Sequence, residues 1–225
     1  RVLEVGCGNG EVSKDIAEIV GTSGHIDAID ISPEQIAVAK QKNLSNVTFE
    51  VKDVMTLSTT DPSEKYDFVV VRFVLMHLKD PIRALRIMYQ FVKSGGYLAC
   101  EEPEMSRCYS SIDSEGFKKA MDWHIAYSEY TDVDFDIGSK LCSLFKTLKF
   151  NEVLEETCQP IIKSHDPNRI IFYLLTEECR LKYVSAAIAT HEQINDVLNQ
   201  FKKLNNDEHC EFGCALLHQV NARKN

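Results

Sequence analysis

No stretch of 18 apolar residues occurs anywhere in the 225-residue sequence, so nothing in it would cross a bilayer as a helix. Positive charge is also in short supply. Against 34 acids stand 25 lysines and arginines, a net charge of -9, and no general phosphate-neutralising surface is expected. Nonspecific nucleic-acid binding is thereby disfavoured. The eight cysteines include no CxxC pair and sit mostly inside apolar runs, which reads as reduced packing thiols in a cytoplasmic protein rather than a disulfide framework. The nearest approach to metal-ligand spacing is His209, Cys210, Cys214 and His218. A strand over Glu211 to Asn221 would hold the two cysteines roughly 13 Å apart, and no metal is assigned. A P-loop is excluded by the missing Gly-Lys-Ser/Thr. Arg1 lies directly ahead of an apolar strand with neither methionine nor signal peptide, so further native sequence is expected before it.

What is present is a core-forming chain, 44% hydrophobic and 26% charged, large enough for a single domain with excursions. Short β-branched runs (Val2 to Val5, Ile26 to Ile31, Val47 to Val51, Phe68 to Arg72, Tyr97 to Cys100) alternate with helical patterns. That alternation specifies a parallel sheet with helices on both faces, an α/β doubly wound fold. Ser32-Pro33-Glu34-Gln35 supplies an N-cap, a first-turn proline and a capping-box glutamine, and Asp80-Pro81 repeats the signal. After Glu102 the alternation ends. A helix is expected near Phe117 to Tyr130, strands around Val153 to Cys158 and Phe212 to Val220, and helical structure over Asn168 to Leu204.

The first strand runs straight into Gly6-Cys7-Gly8-Asn9-Gly10, where alternate glycines permit a tight turn and close backbone approach to a ligand. A dinucleotide fingerprint would need glycine at position 11. That position is Glu11, a carboxylate at the helix N-terminus where a pyrophosphate would sit and be repelled. Three acids (Glu4, Asp30 and Asp53) fall on the first three strands or at their carboxyl ends, which converge on the ligand-binding crevice of such a sheet. Such a site suits a ligand with ribose hydroxyls, an exocyclic amine, positive charge and no phosphate, and S-adenosylmethionine has all of these properties.

The same residues carry a family resemblance. Val2-Leu3-Glu4-Val5-Gly6-Cys7-Gly8-Asn9-Gly10 resembles the first motif of class I S-adenosylmethionine-dependent methyltransferases, and Ala28-Ile29-Asp30-Ile31-Ser32 resembles their second-strand acid. Asp53-Val54 is similar to their adenine-contacting pair, and Tyr66 to Arg72 and Leu98 to Pro103 are similar to their fourth and fifth strands. The resemblance implies a Rossmann-like, seven-stranded, mostly parallel sheet with an antiparallel last strand. It also implies roles: Glu4 and the Gly6 backbone orient the methionine ammonium, with Cys7 and Gly8 in the same loop. Asp30 holds the ribose hydroxyls, Ile31 covers one face of the adenine, Asp53 and the Val54 amide read its edge, and Arg72 contributes near the methionine end. The product would be S-adenosylhomocysteine.

A single methyltransferase domain over 1–225 is expected, with a cofactor-binding half at 1–103 and helical excursions at 104–136 and 164–205 over the substrate side. The first excursion would form a lid. His77 is a candidate general base, since an ordinary histidine titrates near neutrality; a capping role is the plainer alternative. Glu101, Glu102, Tyr109, Trp123, His124 and Tyr127 are candidates to meet the acceptor. Trp123 and Tyr127, spaced i,i+4, share a helical face that serves either as core or as substrate wall. With no Pro-Cys dipeptide and no Asn/Asp-Pro-Pro-aromatic motif, nucleic-acid bases are disfavoured and a small-molecule acceptor is expected, methylated by in-line displacement. The competing expectation is a noncatalytic cofactor-binding regulatory subunit that contacts a protein partner.

Overall fold

The computed structural model describes residues 1–58, 65–148, 150 and 152–225. In chain order the strands and α-helices are β1 (Val2–Val5), α1 (Glu11–Val20), β2 (Ile26–Asp30), α2 (Pro33–Lys40), β3 (Val47–Val51), β4 (Tyr66–Arg72), α3 (Pro81–Phe91), β5 (Val92–Glu104), β6 (Tyr109–Ser110), α4 (Glu115–Tyr130), α5 (Leu141–Thr147), β7 (Val153–Cys158), β8 (Ile161–Ile162), α6 (Ile171–Glu178), α7 (Arg180–Ser185), α8 (His191–Asn206), β9 (Phe212–Gly213) and β10 (Leu216–Arg223). They fall into two compact units. One comprises Arg1–Glu102, Ser139–Glu156 and His218–Asn225; the other comprises Pro103–Gly138 and Thr157–Leu217.

The first unit is built on a seven-stranded sheet of order β3-β2-β1-β4-β5-β10-β7. Strand β1 pairs in parallel with both β2 and β4, and β2–β3 and β4–β5 are parallel as well. The chain therefore reverses direction of travel across the sheet after β3, which opens a crevice at the carboxyl ends of β1 and β4. Strand β10 runs the other way. The carbonyl of Lys224, directly after β10, accepts from Gly95 N–H at 2.8 Å, while Gln219, earlier on β10, bonds Glu101, later on β5. The helices start where the sequence signals lie: the Ser32 hydroxyl accepts from Gln35 N–H at 3.2 Å, and the Asp80 carboxylate from Arg83 N–H at 3.0 Å, with a proline in each first turn.

Two departures from the sequence expectation follow from strand pairing. Strand β5 begins at Val92 rather than Tyr97, because Val92 already pairs with Tyr66 and the Gly95–Gly96 pair is absorbed in a register shift before Phe68 meets Tyr97. The last strand is broken at Cys214–Ala215, because Gly213 pairs on both sides, with Tyr109 and with Ile161, and Cys214 N–H turns to the Pro160 carbonyl at 2.9 Å. The stretch 168–204 is helical as expected and holds α6, α7 and most of α8: Ala187 adopts φ 56° after α7, and Thr190 with Gln193 forms a capping box that restarts the chain as α8.

The second unit joins a three-stranded antiparallel sheet, β6-β9-β8, to helices α4, α6, α7 and α8. Its core is aromatic. Phe117, Trp123, Phe172, Tyr183, Phe201 and Phe212 are all buried in one cluster. The Arg169 guanidinium ties off the C-terminus of α8 by donating to the Leu204 and Asp207 carbonyls at 2.9 and 3.0 Å, which also accept from the Asp207 and Cys210 N–H groups at 3.1 Å.

Candidate active site

The glycine loop is fixed to the sheet by its own backbone. Gly6 N–H and Cys7 N–H both donate to the Ile29 carbonyl at the end of β2, at 2.8 and 3.0 Å. Gly6 has φ +73°, and a Cβ there would lie 2.1 Å from Val74 Cγ2. Only glycine allows the loop to rest on the turn that follows β4. At Gly8, φ +53°, a Cβ would meet nothing within 4 Å. The outer side of the loop is therefore open to a ligand.

Asp30 closes the loop from β2. Its Oδ2 accepts from Gly8 N–H at 2.9 Å and its Oδ1 from Ser32 N–H at 2.9 Å, and a carboxylate with one bond on each oxygen retains a lone pair on each. Ile31 beside it is 68% exposed, an apolar side chain presented to solvent next to a half-buried acid. At the end of β3, Asp53 Oδ1 accepts from Met55 N–H at 2.8 Å and so initiates a short 3-10 turn that buries Val54.

Glu4 lies beneath the loop, 5% exposed. Burial pushes its carboxyl up to about 7, against the opposing effect of the Ser13 hydroxyl, which donates to Oε2. The Cys7 thiol is pushed up to about 12 by burial and by the carboxylates of Glu4 and Asp30, so it is a packing group and a poor nucleophile. A cleft of about 530 Å³ is lined by Glu4, Gly6, Cys7, Gly8, Arg72 and Glu101, among others. Asp30, Ile31, Asp53 and Val54 are not among its lining residues; they stand along the neighbouring strand ends.

Glu101 and Glu102, near the end of β5, are separated by the strand's alternation. Glu101 forms an ion pair with the Arg72 guanidinium and accepts from the Gln219 amide. Glu102 is fully buried, and its carboxylate accepts from the N–H groups of Val74 and Leu75 at 2.9 and 2.8 Å and of Met76 at 3.3 Å. His77 ends that same turn and is exposed. In the second unit, the Trp123 and Tyr127 rings lie 6.0 and 6.1 Å from the Tyr183 ring. His124 is buried against the Tyr183 hydroxyl at 2.7 Å, and its imidazole is pushed down to about 4 by burial. Tyr109 is 41% exposed on β6 and packs on Gly213.

Sequence reading missed Ser13, Val74, Gln219 and Asn221. The last two line the cleft, and the alternation Gln219-Val220-Asn221-Ala222, polar with apolar, was the available signal. Ser13 and Val74 act through pairing that only the fold shows. Among the described residues no group of three or more histidines, cysteines or acids is placed to hold a metal, and no helix is long and apolar enough to cross a membrane.

A doubly wound sheet with a glycine loop after β1 and acids at the ends of its first strands is a methyltransferase-like arrangement. The family profile of a methyltransferase domain matches residues 1–207, and the chain belongs to that family, the S-adenosylmethionine-dependent methyltransferases of class I, with S-adenosylmethionine as cofactor. It is 29% identical over 169 residues to the demethylmenaquinone methyltransferase of Listeria welshimeri, a match covering 68% of this chain and 71% of that one. The demethylmenaquinone methyltransferase of Listeria monocytogenes is 36% identical over 104 residues, covering 44% of this chain and 43% of its own length; the match thus spans less than half of that relative. Among solved structures, the YcgJ protein of Bacillus subtilis superposes with TM-score 0.63 at 14% identity, covering 100% of this chain and 91% of that one. A phosphoethanolamine N-methyltransferase of Haemonchus contortus, solved with S-adenosyl-L-methionine, gives TM-score 0.57 at 17% identity, covering 100% and 48%.

The donor set fits the cofactor. A buried carboxylate under an open glycine loop suits an ammonium, and a second carboxylate with spare lone pairs suits vicinal hydroxyls. Arg72, the one basic residue among those lining the cleft, is engaged by Glu101.

Proposed function

We propose that the protein transfers a methyl group to a small apolar or aromatic molecule by direct in-line displacement. The observation that carries the cofactor assignment is Asp30, bonded at 2.9 Å to both the Gly8 and Ser32 amides, so that its remaining lone pairs are held at the open edge of the loop. In this reading Glu4 and the Gly6 backbone hold the ammonium, with Cys7 and Gly8 forming the loop wall. Asp30 accepts from the ribose hydroxyls, Ile31 covers the adenine, and Asp53 and Val54 meet its edge. Arg72, kept in place by Glu101, borders the methionine end. Bound S-adenosylmethionine supplies an electrophilic methyl group on a sulfonium.

The chain's own task is then mostly positioning, which suffices when the acceptor is an activated heteroatom or enolate-like carbon. His77, exposed at the end of the turn after β4, is our candidate to take a proton where the acceptor must lose one. We assign no acceptor contact to Trp123 or Tyr127, whose rings are used within the second unit's core. A small-molecule acceptor is supported by the names of the bacterial relatives, which methylate demethylmenaquinone, and by the net charge of -9, which disfavours a polyanionic substrate. Methyl-labelled S-adenosylmethionine, incubated with the protein and a cell extract, should place label in the solvent-extractable small-molecule fraction. Label confined to nucleic acid or protein would contradict this reading.

A further inference from the structure

Among the described residues, Glu102 is the one acid at the sheet's carboxyl edge that is entirely closed off from solvent, and its carboxylate is used on three backbone donors of one turn, Val74 to Met76. That turn is not an ordinary connection. Phe73, which leads into it, has φ 55°, a conformation rarely adopted by an aromatic residue, and is held there by donating its N–H to the Glu101 carbonyl at 3.0 Å. Val74, the first residue that Glu102 binds, is also the residue on which Gly6 rests, with 2.1 Å between Cγ2 and the position of a Cβ at Gly6. Val74 is β-branched and stiff, so displacement of its backbone carries to the glycine loop. From these contacts we propose that Glu102 is a positioning residue for methyl transfer: its carboxylate clamps the turn after β4 against Gly6 and so sets the cofactor loop and the placement of His77.

The clamp requires the charged form. A carboxylate can accept all three N–H groups, whereas a protonated acid carries a donor where one of them points. Burial pushes Glu102 up to about 7 against the three hydrogen bonds that favour its ionisation, with Glu101 adding a smaller push in the same direction. The neighbouring titratable groups are otherwise engaged or neutral. On its own strand, Glu101 is paired with Arg72 and the buried Cys100 thiol is held well above its ordinary value. On β10, His218 bonds Glu155 at 2.8 Å, and on the turn His77 faces solvent. If cofactor binding prefers the clamped turn, linkage requires the cofactor to lower the Glu102 pKa, and affinity to rise with pH through neutrality.

This inference rests on the cofactor reading above, and the test separates the two. S-adenosylhomocysteine affinity is measured by calorimetry from pH 5.5 to 8.5 for the wild type and Glu102→Gln. Glu4 titrates in the same range, but its contribution is common to both proteins and cancels in their ratio. The wild type should bind about fivefold or more tightly than the variant at high pH, with the ratio approaching one at low pH, where the wild-type acid is itself neutral. Damage to the fold alone would give a ratio constant with pH, and that result overturns the clamp. Should the variant not fold, the wild type suffices: the amide proton shifts of Val74, Leu75 and Met76 should titrate together near neutrality, with a midpoint that saturating S-adenosylhomocysteine moves downward. Amides that do not titrate, or a midpoint indifferent to the ligand, overturn the proposal. Absence of binding by the wild type at every pH removes the cofactor reading and the clamp with it.

Discussion

Asp30→Ala should weaken S-adenosylhomocysteine binding by about 10- to 150-fold, roughly 1.5–3 kcal/mol for lost charge-assisted hydrogen bonds, while the protein remains folded. Two contributions act in the same direction. The ribose hydroxyls lose their acceptor, and the Gly8 and Ser32 amides lose the carboxylate that fixes them at 2.9 Å. Asp30→Asn separates the two, because an amide oxygen still accepts from one of these donors but without charge. It should fall between the wild type and the alanine variant in calorimetric titrations. An alanine variant that is folded and binds as the wild type does would remove Asp30 from the site.

Trp123→Ala should cost about 3–5 kcal/mol of stability, as expected for deleting a large aromatic side chain from a packed interior. Trp123 is 9% exposed within the cluster formed by Phe117, Phe172, Tyr183 and Phe212, and its ring lies 6.0 Å from that of Tyr183. Loss of the indole would leave a cavity beside the buried His124–Tyr183 hydrogen bond of 2.7 Å. Thermal and urea denaturation should show the loss. Below the melting transition, affinity for S-adenosylhomocysteine should be unchanged, since the cofactor reading gives Trp123 no part. An unaltered melting temperature with abolished methyl transfer would instead place the indole against the acceptor.

The parts of the fold that were legible in sequence are those fixed by local chemistry. Ser32-Pro33 and Asp80-Pro81 start helices because capping and a preset φ act within four residues, and both caps form. The β-branched runs of the first 72 residues become adjacent parallel strands, with β1 buried throughout and β3 and β4 partly exposed. Less legible was what depends on partners distant in sequence. That β5 starts at Val92 follows from pairing with Tyr66, and that the last strand breaks after Gly213 follows from strands about 50 and 100 residues earlier.

The candidate site divides in the same way. The glycine loop, Glu4, Asp30 and Asp53 could be named because residue type and strand-end position together restrict what they can do. Glu101 and Glu102 could not be told apart in sequence beyond the statement that they point in opposite directions. One lies at the cleft with Arg72 and Gln219; the other faces inward onto three amides of a turn 26 to 28 residues earlier. The i,i+4 pair Trp123 and Tyr127 shares one helical face as the spacing requires, but only packing shows that the face is turned to a core built from Tyr183 and its neighbours.

The most direct measurement is a pair of calorimetric titrations of the wild-type protein at pH 8, one with S-adenosylhomocysteine and one with NAD. Carboxylates at three strand ends and Glu11 at the start of α1, exposed and paired with Lys42 at 2.6 Å, favour a nucleoside bearing hydroxyls and an ammonium over one bearing a pyrophosphate. Saturable one-to-one binding of S-adenosylhomocysteine with no heat from NAD is the result expected. Binding of NAD with none of S-adenosylhomocysteine would contradict the cofactor assignment and every residue role derived from it.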